Sequence, residues 1–295
     1  MDTQHSTRRQ FLAATAAGMA TMTLMRRCTA AEKKGKYFSF GLVTDVHYAD
    51  IPANGIRRYR DSVTKLREAV ATFNHEKVAF VAELGDFCDA GASKKDDIKY
   101  LREIGNIYSE FKGPRHYVLG NHCVTKLTKA EFLANCGTTI KKSHYSFDAG
   151  PYHFVVLDAN FKPDETSYKP GNFFWTKSWI PVWQQKWLAE DLEKAGRKKS
   201  IVFIHQNLHN EKESTGVKNA PEVRRVLESA GNVLAVFQGH KHEGDYAKIG
   251  GIHYCTLQAM VEGASPTNNA YAIVTLDGDR ISLEPFGNQK PCTFR

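Results

Sequence analysis

Five short patterns carry the side chains best suited to chemistry: Asp45-x-His47, Gly85-Asp86, Gly120-Asn121-His122, an isolated His205, and Gly239-His240-x-His242. Each closes or follows an apolar run. Oxygen and nitrogen donors are thereby placed just beyond the ends of predicted strands, where the loops of an α/β sheet converge on one crevice. Such donors suit divalent or transition cations, and a site for two cations needs several O and N atoms, an anionic bridge and no thiolate. An Asp can supply the bridge because its two oxygens carry several lone pairs. The glycines ahead of Asp86, Asn121 and His240 permit tight turns and close backbone approach.

The elements that must hold these residues are read from apolar periodicity. Strand-like runs lie at 37–44, 78–84, 116–119, 152–157, 200–204 and 233–237, with later ones at 251–257, 271–276 and 280–285. Helical patterns fall at 57–73, 98–111, 129–135, 182–195 and 221–230. Residues 146–157 read as a hairpin turning at Ala149-Gly150-Pro151. Pro181 suits the first turn of the helix that follows, and Trp183, Trp187 and Leu188 would share its apolar face. Early alternation of strand and helix, with denser strands later, predicts an α/β fold of two mixed sheets stacked together and flanked by helices. No repeat or low-complexity linker interrupts residues 36–295, which are expected to form a single domain.

The chain has 295 residues, 42% hydrophobic and 24% charged, which excludes a disordered, collagenous or multi-span membrane protein. Its formal charge is +8, from 40 basic and 32 acidic residues. Four of those bases and one of the acids lie in residues 1–30, so the remainder carries 36 against 31, a net +5. The dispersed basic clusters read as solvated surface, and no helix-turn-helix, zinc-finger or RNP module is present.

Residues 1–30 have the order of a signal peptide: paired Arg8-Arg9, a weakly apolar stretch from Phe11 to Met25, and a small-residue region at Cys28-Thr29-Ala30. The apolar stretch is shorter than the ~20 residues needed to span a bilayer. Arg8-Arg9 followed by Gln10-Phe11-Leu12 resembles the twin-arginine export signal, whose cargo folds before export, commonly with its cofactor inserted. That predicts an exported protein, periplasmic or extracellular, with the twin-arginine machinery as a partner and no transmembrane span once the leader is removed. The remaining cysteines, Cys88, Cys123, Cys136, Cys255 and Cys292, form no disulfide framework by spacing, although an oxidising destination would permit a bridge.

The complete ordered set Asp-x-His, Gly-Asp, Gly-Asn-His, His and Gly-His-x-His resembles the calcineurin-like metallophosphoesterase family over about residues 38–260. The resemblance implies a four-layer α-β-β-α sandwich. It also implies that Asp45, His47 and His242 hold one metal, that Asn121, His205 and His240 hold another, and that Asp86 bridges them. His122 would be the catalytic histidine, contacting phosphoryl oxygens or protonating the leaving group. The ions would be Mn, Fe, Zn or similar, and a hydroxide bridging them would attack phosphorus in line. Many members of the family carry an acid after Gly-Asn-His; here Cys123 stands there, a neutral thiol that orients His122 poorly.

Asp89, three residues after Asp86, looks like the phosphodiesterase and ADP-ribose/CDP-alcohol diphosphatase branch of the family. The stretch Phe40 to Asp50, with Arg57-Arg58-Tyr59-Arg60 after it, looks most like the diphosphatases. The implied substrate is a small phosphorylated nucleotide derivative cleaved at a phosphodiester or pyrophosphate bond. Alternatives are a broad phosphomonoesterase or cyclic-nucleotide phosphodiesterase and, from another class, a metal-poor binding scaffold, against which the intact donor set argues. Phe174 and Trp175, beside Gly171-Asn172, are the aromatic candidates for contact with substrate. His209, four residues after His205, and the other histidines outside the motifs are expected to be hydrogen-bonded or surface residues rather than ligands.

Overall fold

Eleven strands and five α-helices appear among residues 37–292 and 294, which the computed structural model describes. In chain order they are β1 (Phe38–Val43), α1 (Ser62–Glu76), β2 (Val81–Glu83), α2 (Lys94–Tyr108), β3 (Arg115–Tyr117), α3 (Lys129–Asn135), β4 (Tyr145–Ala149) and β5 (Tyr152–Val156). Then come α4 (Val182–Ala195), β6 (Lys199–Phe203), α5 (Ala220–Ala230), β7 (Val233–Gln238), β8 (Glu243–Ile249), β9 (Ile252–Gln258), β10 (Ala270–Asp277) and β11 (Arg280–Gly287). One sheet has the order β11-β10-β1-β2-β3 and the other β4-β5-β6-β7-β9-β8. The strands that lead into the motifs run parallel within each sheet: β1, β2 and β3 in the first, β6 and β7 in the second. Their motif-bearing ends therefore emerge on one side of each sheet.

Alternate side chains of these strands separate three apolar layers. Leu66, Phe73, Leu101, Ile104 and Phe132 of α1–α3 pack on Val43, Val81 and Ile273 of the first sheet. Leu188, Leu192, Val223 and Leu227 of α4 and α5 pack on Val155, Val202 and Val236 of the second. Between the sheets, Phe40 meets Phe80 at 5.0 Å, Phe154 at 5.5 Å and Phe203 at 5.8 Å. Complete burial of each such ring contributes about 1.5–3 kcal/mol. Rings from both sheets in mutual contact fix how their strand ends face each other. The result is the expected four-layer α-β-β-α sandwich, and none of the described helices is long and apolar enough to cross a membrane.

Several local expectations are corrected. α1 begins at Ser62 rather than at 57, because Arg57–Asp61 is drawn to the 261–265 loop: Arg58 N donates to Val261 O, and Asp61 Oδ2 accepts from Ser265 N. α2 begins at Lys94, four residues before the apolar pattern, because Ser93 and Asp96 form a reciprocal capping box that starts it. β8 does not show as a strand in the sequence; in EGDYAKI, Glu243, Tyr246 and Lys248 are exposed and the other residues only half-buried, as on an edge strand. On α4, Trp183 is 44% exposed and lies beside Phe161 and His144, while the buried line is Gln184, Leu188 and Leu192. Gln184 faces inward because its side chain satisfies both backbone groups of Asp158, at 2.9 and 2.8 Å. The 146–157 hairpin is present, turning through Gly150 and Pro151.

Candidate metal centre

The loops after β1 and β2 are tied to each other by backbone bonds, Asp45 N to Gly85 O at 3.0 Å and His47 N to Asp86 O at 2.8 Å. Among the described residues, six non-glycine positions have positive φ, and four of them are Asp45 (51°), His47 (45°), Asp86 (58°) and His240 (69°). Each such residue costs on the order of 1–3 kcal/mol, so it persists only where its surroundings dictate it. Gly85, at φ +108°, could not carry a side chain, because a Cβ there would stand 2.4 Å from His205 Nδ1. A Cβ on Gly120 would stand 2.1 Å from Asp86 Oδ1. The glycines thus admit a histidine and a carboxylate to the same small volume.

Both buried aspartates divide their oxygens. Asp45 Oδ2 accepts from Thr44 Oγ1 at 2.7 Å and from His240 N at 3.0 Å, whereas Oδ1 has no hydrogen-bond donor. That free oxygen lies 3.3 Å from His242 Nε2 and 3.6 Å from His47 Nε2. Asp86 Oδ1 accepts from His122 N at 2.8 Å, while Oδ2 lies 3.1 Å from His205 Nε2 and 3.6 Å from His47 Nε2. Burial opposes the charge of both carboxylates, but the surrounding imidazoles, His205 foremost, hold them below the usual carboxylate range. Asp86 stands between the Asp45–His47–His242 group and the His205–His240 group.

The imidazoles are oriented from behind. His47 Nδ1 donates to Asp89 Oδ2 at 3.0 Å, His205 Nδ1 to Leu84 O at 2.9 Å, and His242 Nδ1 to Glu262 Oε1 at 2.5 Å. With Nδ1 carrying the proton, Nε2 keeps its lone pair and points at the centre. Burial, with the like charge of His205, pulls His240 down to about 3, so this ring is neutral at physiological pH. Burial opposes protonation of His242, but the neighbouring carboxylates of Asp45 and Glu262 prevail and lift it to about 10, so an ion taken at Nε2 would displace a proton there. Asn121 adds a buried side-chain oxygen.

Cys123 does not leave His122 without an acid, contrary to expectation. His122 Nδ1 donates to Asp89 Oδ1 at 3.0 Å, so one carboxylate holds His47 with one oxygen and His122 with the other. Burial works against protonating His122, and Asp86 and Asp89 together outweigh it, raising the imidazole above its ordinary value. The Cys123 thiol faces the core, where burial keeps it protonated. Sequence reasoning used Asp89 only as a branch marker and missed its bonds. Glu262, twenty positions after His242 in a loop without a motif, offered no signal at all.

A cavity of about 440 Å³ opens above these donors, with Arg57, Trp175, Thr215, Lys241, Glu243 and Glu262 at its walls and His122 partly exposed to it. Trp175 is half-exposed, its ring edge-on to His240 at 5.8 Å. Phe174 is exposed and is not among the wall residues; Lys177 Nζ lies over its ring. His209 bonds Asp245 and Gln238 and takes no part in the site.

Buried polar atoms are normally hydrogen-bonded. Here Asp45 Oδ1, His47 Nε2, Asn121 Oδ1, His205 Nε2 and His240 Nε2 all lack a hydrogen-bond partner, and the Asp and His among them fall in two groups of converging donors. Carboxylate, amide and imidazole donors without thiolate fit hard or borderline divalent cations, and two groups of them fit two ions.

Known proteins agree. Manganese-dependent ADP-ribose/CDP-alcohol diphosphatases of Oryza sativa subsp. japonica and Arabidopsis thaliana are 26% and 25% identical to this chain. The alignments cover 86% and 83% of this chain and 92% and 93% of theirs. Among solved structures, a dimetal phosphatase from Danio rerio superposes with a TM-score of 0.73 at 24% identity, covering 88% of this chain and 99% of that one. A purple acid phosphatase from yellow lupin seeds gives 0.59 at 14% identity, over 86% and 53%. Residues 38–244 match the calcineurin-like phosphoesterases, and with the donor set in place the chain belongs to that family of metal-dependent phosphoric-ester hydrolases.

Proposed function

We propose that this protein hydrolyses the pyrophosphate or phosphodiester bond of small nucleotide derivatives of the ADP-ribose or CDP-alcohol type. The observation that carries the chemistry is the convergence of partnerless buried O and N donors on the floor of a cavity large enough for such a ligand. The substrate class is supported by the relatives, whose names give that activity and its dependence on manganese.

Asp45, His47 and His242 would hold one ion, Asn121, His205 and His240 the second, and Asp86 both. The ions would supply Lewis-acid charge for the phosphoryl oxygens and a water nucleophile at neutral pH. His122 acts from the cavity wall. With Nδ1 tied to Asp89, its Nε2 can carry a proton to the departing oxygen, and the raised affinity for that proton keeps it available near neutral pH. Arg57 and Lys241 place positive charge at the walls, where the rest of an anionic substrate would lie.

The test is the purified protein reconstituted with Mn, Fe or Zn and assayed on ADP-ribose, CDP-choline, cyclic AMP, a bis-aryl and a mono-aryl phosphate. About two ions per chain with preference for the diphosphates is expected. Fewer than one bound ion and no hydrolysis with any metal would overturn the proposal.

Residues 1–30 lie outside the described residues. We read them as a twin-arginine leader that exports the single domain 36–295 to the periplasm or beyond. Lysines in place of Arg8 and Arg9 should strand the protein in the cytoplasm on cell fractionation; unchanged export would refute the assignment.

A further inference from the structure

Past β11 the chain crosses back to the six-stranded sheet. Asn288 N donates to Asn269 O at 2.6 Å, Gln258 N to Gln289 Oε1 at 2.9 Å, and Lys290 N to Gln258 Oε1 at 2.8 Å. Lys290 Nζ reaches Glu243 O at 3.2 Å. These bonds lay residues 288–290 against the ends of β8 and β9 nearest the metal loop and aim the next residues at the inter-sheet core. There Cys292 Sγ meets Cys255 Sγ, 37 positions away on β9, at 2.8 Å. This is closer than two non-bonded sulfurs rest. Cys255 is buried and Cys292 is half-buried, and Phe294 beyond them packs on His253 and Phe237.

We propose that Cys255 and Cys292 are a disulfide-forming pair that fastens the segment after β11 to β9. The other described cysteines, Cys88, Cys123 and Cys136, are all fully buried, so neither an external oxidant nor an incoming thiolate reaches them. Cys292 is the one thiol of the described five with an exposed approach. Its thiolate attacks an external disulfide, a small-molecule one or that of an oxidoreductase, forming a mixed disulfide and releasing one thiol. The Cys255 thiolate then attacks the Cys292 sulfur, forming the internal S–S bond and releasing the second thiol. Two electrons and two protons pass from the cysteine pair to the oxidant, which leaves as two thiols.

The juxtaposition is made by the native fold, so the bond can close after folding. That is the order required of a protein exported in its folded form, and an oxidising compartment would maintain the bond. The segment borders the site, since Glu243, held by Lys290, is the residue after His242. Closing this loop restrains the unfolded chain and should raise thermal stability.

The experiment treats the purified full chain with oxidised glutathione, then denatures it, counts free thiols and maps peptides without reduction. Two thiols should disappear, one linked peptide pair should contain Cys255 and Cys292, and reductant should lower the Tm by about 5 °C or more. Cys292→Ser should abolish the linkage and the sensitivity to reductant while retaining hydrolytic activity at ambient temperature. A full thiol count, glutathione stranded on Cys292, a linkage through Cys88, Cys123 or Cys136, or a Tm indifferent to reductant would each overturn the proposal. None of these readouts depends on where the protein is exported or on its substrate.

Discussion

Asp89 and His122 are joined by a 3.0 Å hydrogen bond from the imidazole Nδ1 to Oδ1, and the remaining oxygen of the same carboxylate holds His47. One side chain therefore orients both the proposed proton donor and a proposed ligand. Partners of this kind typically change activity or metal affinity by about 10- to 100-fold when removed. Asp89→Asn should lower kcat within that range. It should also move the basic limb of the pH–rate profile to lower pH, because His122 loses one of the two carboxylates that raise its pKa and is deprotonated sooner as pH rises. A profile whose basic limb stays in place would separate Asp89 from proton transfer.

His122→Ala tests the division of labour directly. Its backbone N–H donates to Asp86 Oδ1, and alanine keeps that bond, so the donor groups should survive. Two ions should still bind, while turnover falls by about 10²- to 10⁴-fold, the usual contribution of a positioned general acid. His242→Ala should do the converse and lose metal. Near-normal turnover of metal-loaded His122→Ala would remove His122 from the chemistry.

How the sequence announced some of these residues and hid others follows from how each is held. Asp45, Asp86, His205 and His240 lie two or three residues past strands whose apolar runs are buried on both faces, so a break in hydrophobicity marks each of them. The supporting groups carry no such mark. Glu262 reaches His242 from a loop, and Leu84 offers His205 only a backbone carbonyl. Strand limits were overdrawn where apolar burial outruns the ladder: Val78 and Phe80 are buried, yet β2 is only Val81–Glu83. β8 is hidden for the opposite reason, since its exposed Glu243 and Lys248 and half-buried Asp245 resemble a loop until β9 is seen to pair with it.

Lys65 illustrates another support invisible to patterning. Its ammonium, buried on α1, donates to Met260 O, Glu262 O and Gly263 O at 2.8, 2.8 and 2.7 Å. Burial brings its pKa down to about 8, so the group is still charged at neutral pH. It pins the loop from which Glu262 reaches His242. Lys65→Met fills similar space but leaves three carbonyls without their donor, at about 1–3 kcal/mol for each buried group left unsatisfied. A Tm several degrees lower, with weakened binding at the His242 side of the centre, is expected by calorimetry and metal titration. Unchanged metal affinity would confine Lys65 to stability alone.

Trp175 should act on the far part of the substrate. It walls the cavity half-exposed, and its ring crosses that of His240 at 5.8 Å without a hydrogen bond to it, so its removal should leave the donors in place. Stacking of a base on an aromatic ring is worth about 1–3 kcal/mol. Trp175→Ala should therefore raise KM for ADP-ribose or CDP-choline by about 5- to 100-fold while leaving that for a bis-aryl phosphate much less affected. Equal increases for nucleotide and aryl substrates would rule out base contact.

Away from the site, His153 predicts how stability depends on pH. Its Nδ1 donates to Asp148 at 2.9 Å and its Nε2 to Asp191 at 2.9 Å, and both bonds can form together only in the imidazolium. The bond to Asp191 is the main cause of its raised pKa, against some opposition from burial. In the unfolded chain the group titrates near 6.5. Below that value both states are protonated and the contribution is complete; as pH rises through the higher folded value, the native state releases the proton and the contribution disappears. The acid side has the opposite sign. Asp148 and Asp191 are held below their ordinary value of 3.8, so their share is present above it and is lost as pH falls through their folded values. The difference in Tm between the native protein and His153→Gln should therefore be greatest between about pH 4 and 6.5 and shrink steadily toward pH 9. A difference that stays constant from pH 6 to 9 would mean that His153 acts as a neutral packing residue and that Asp148 and Asp191 are satisfied without its proton.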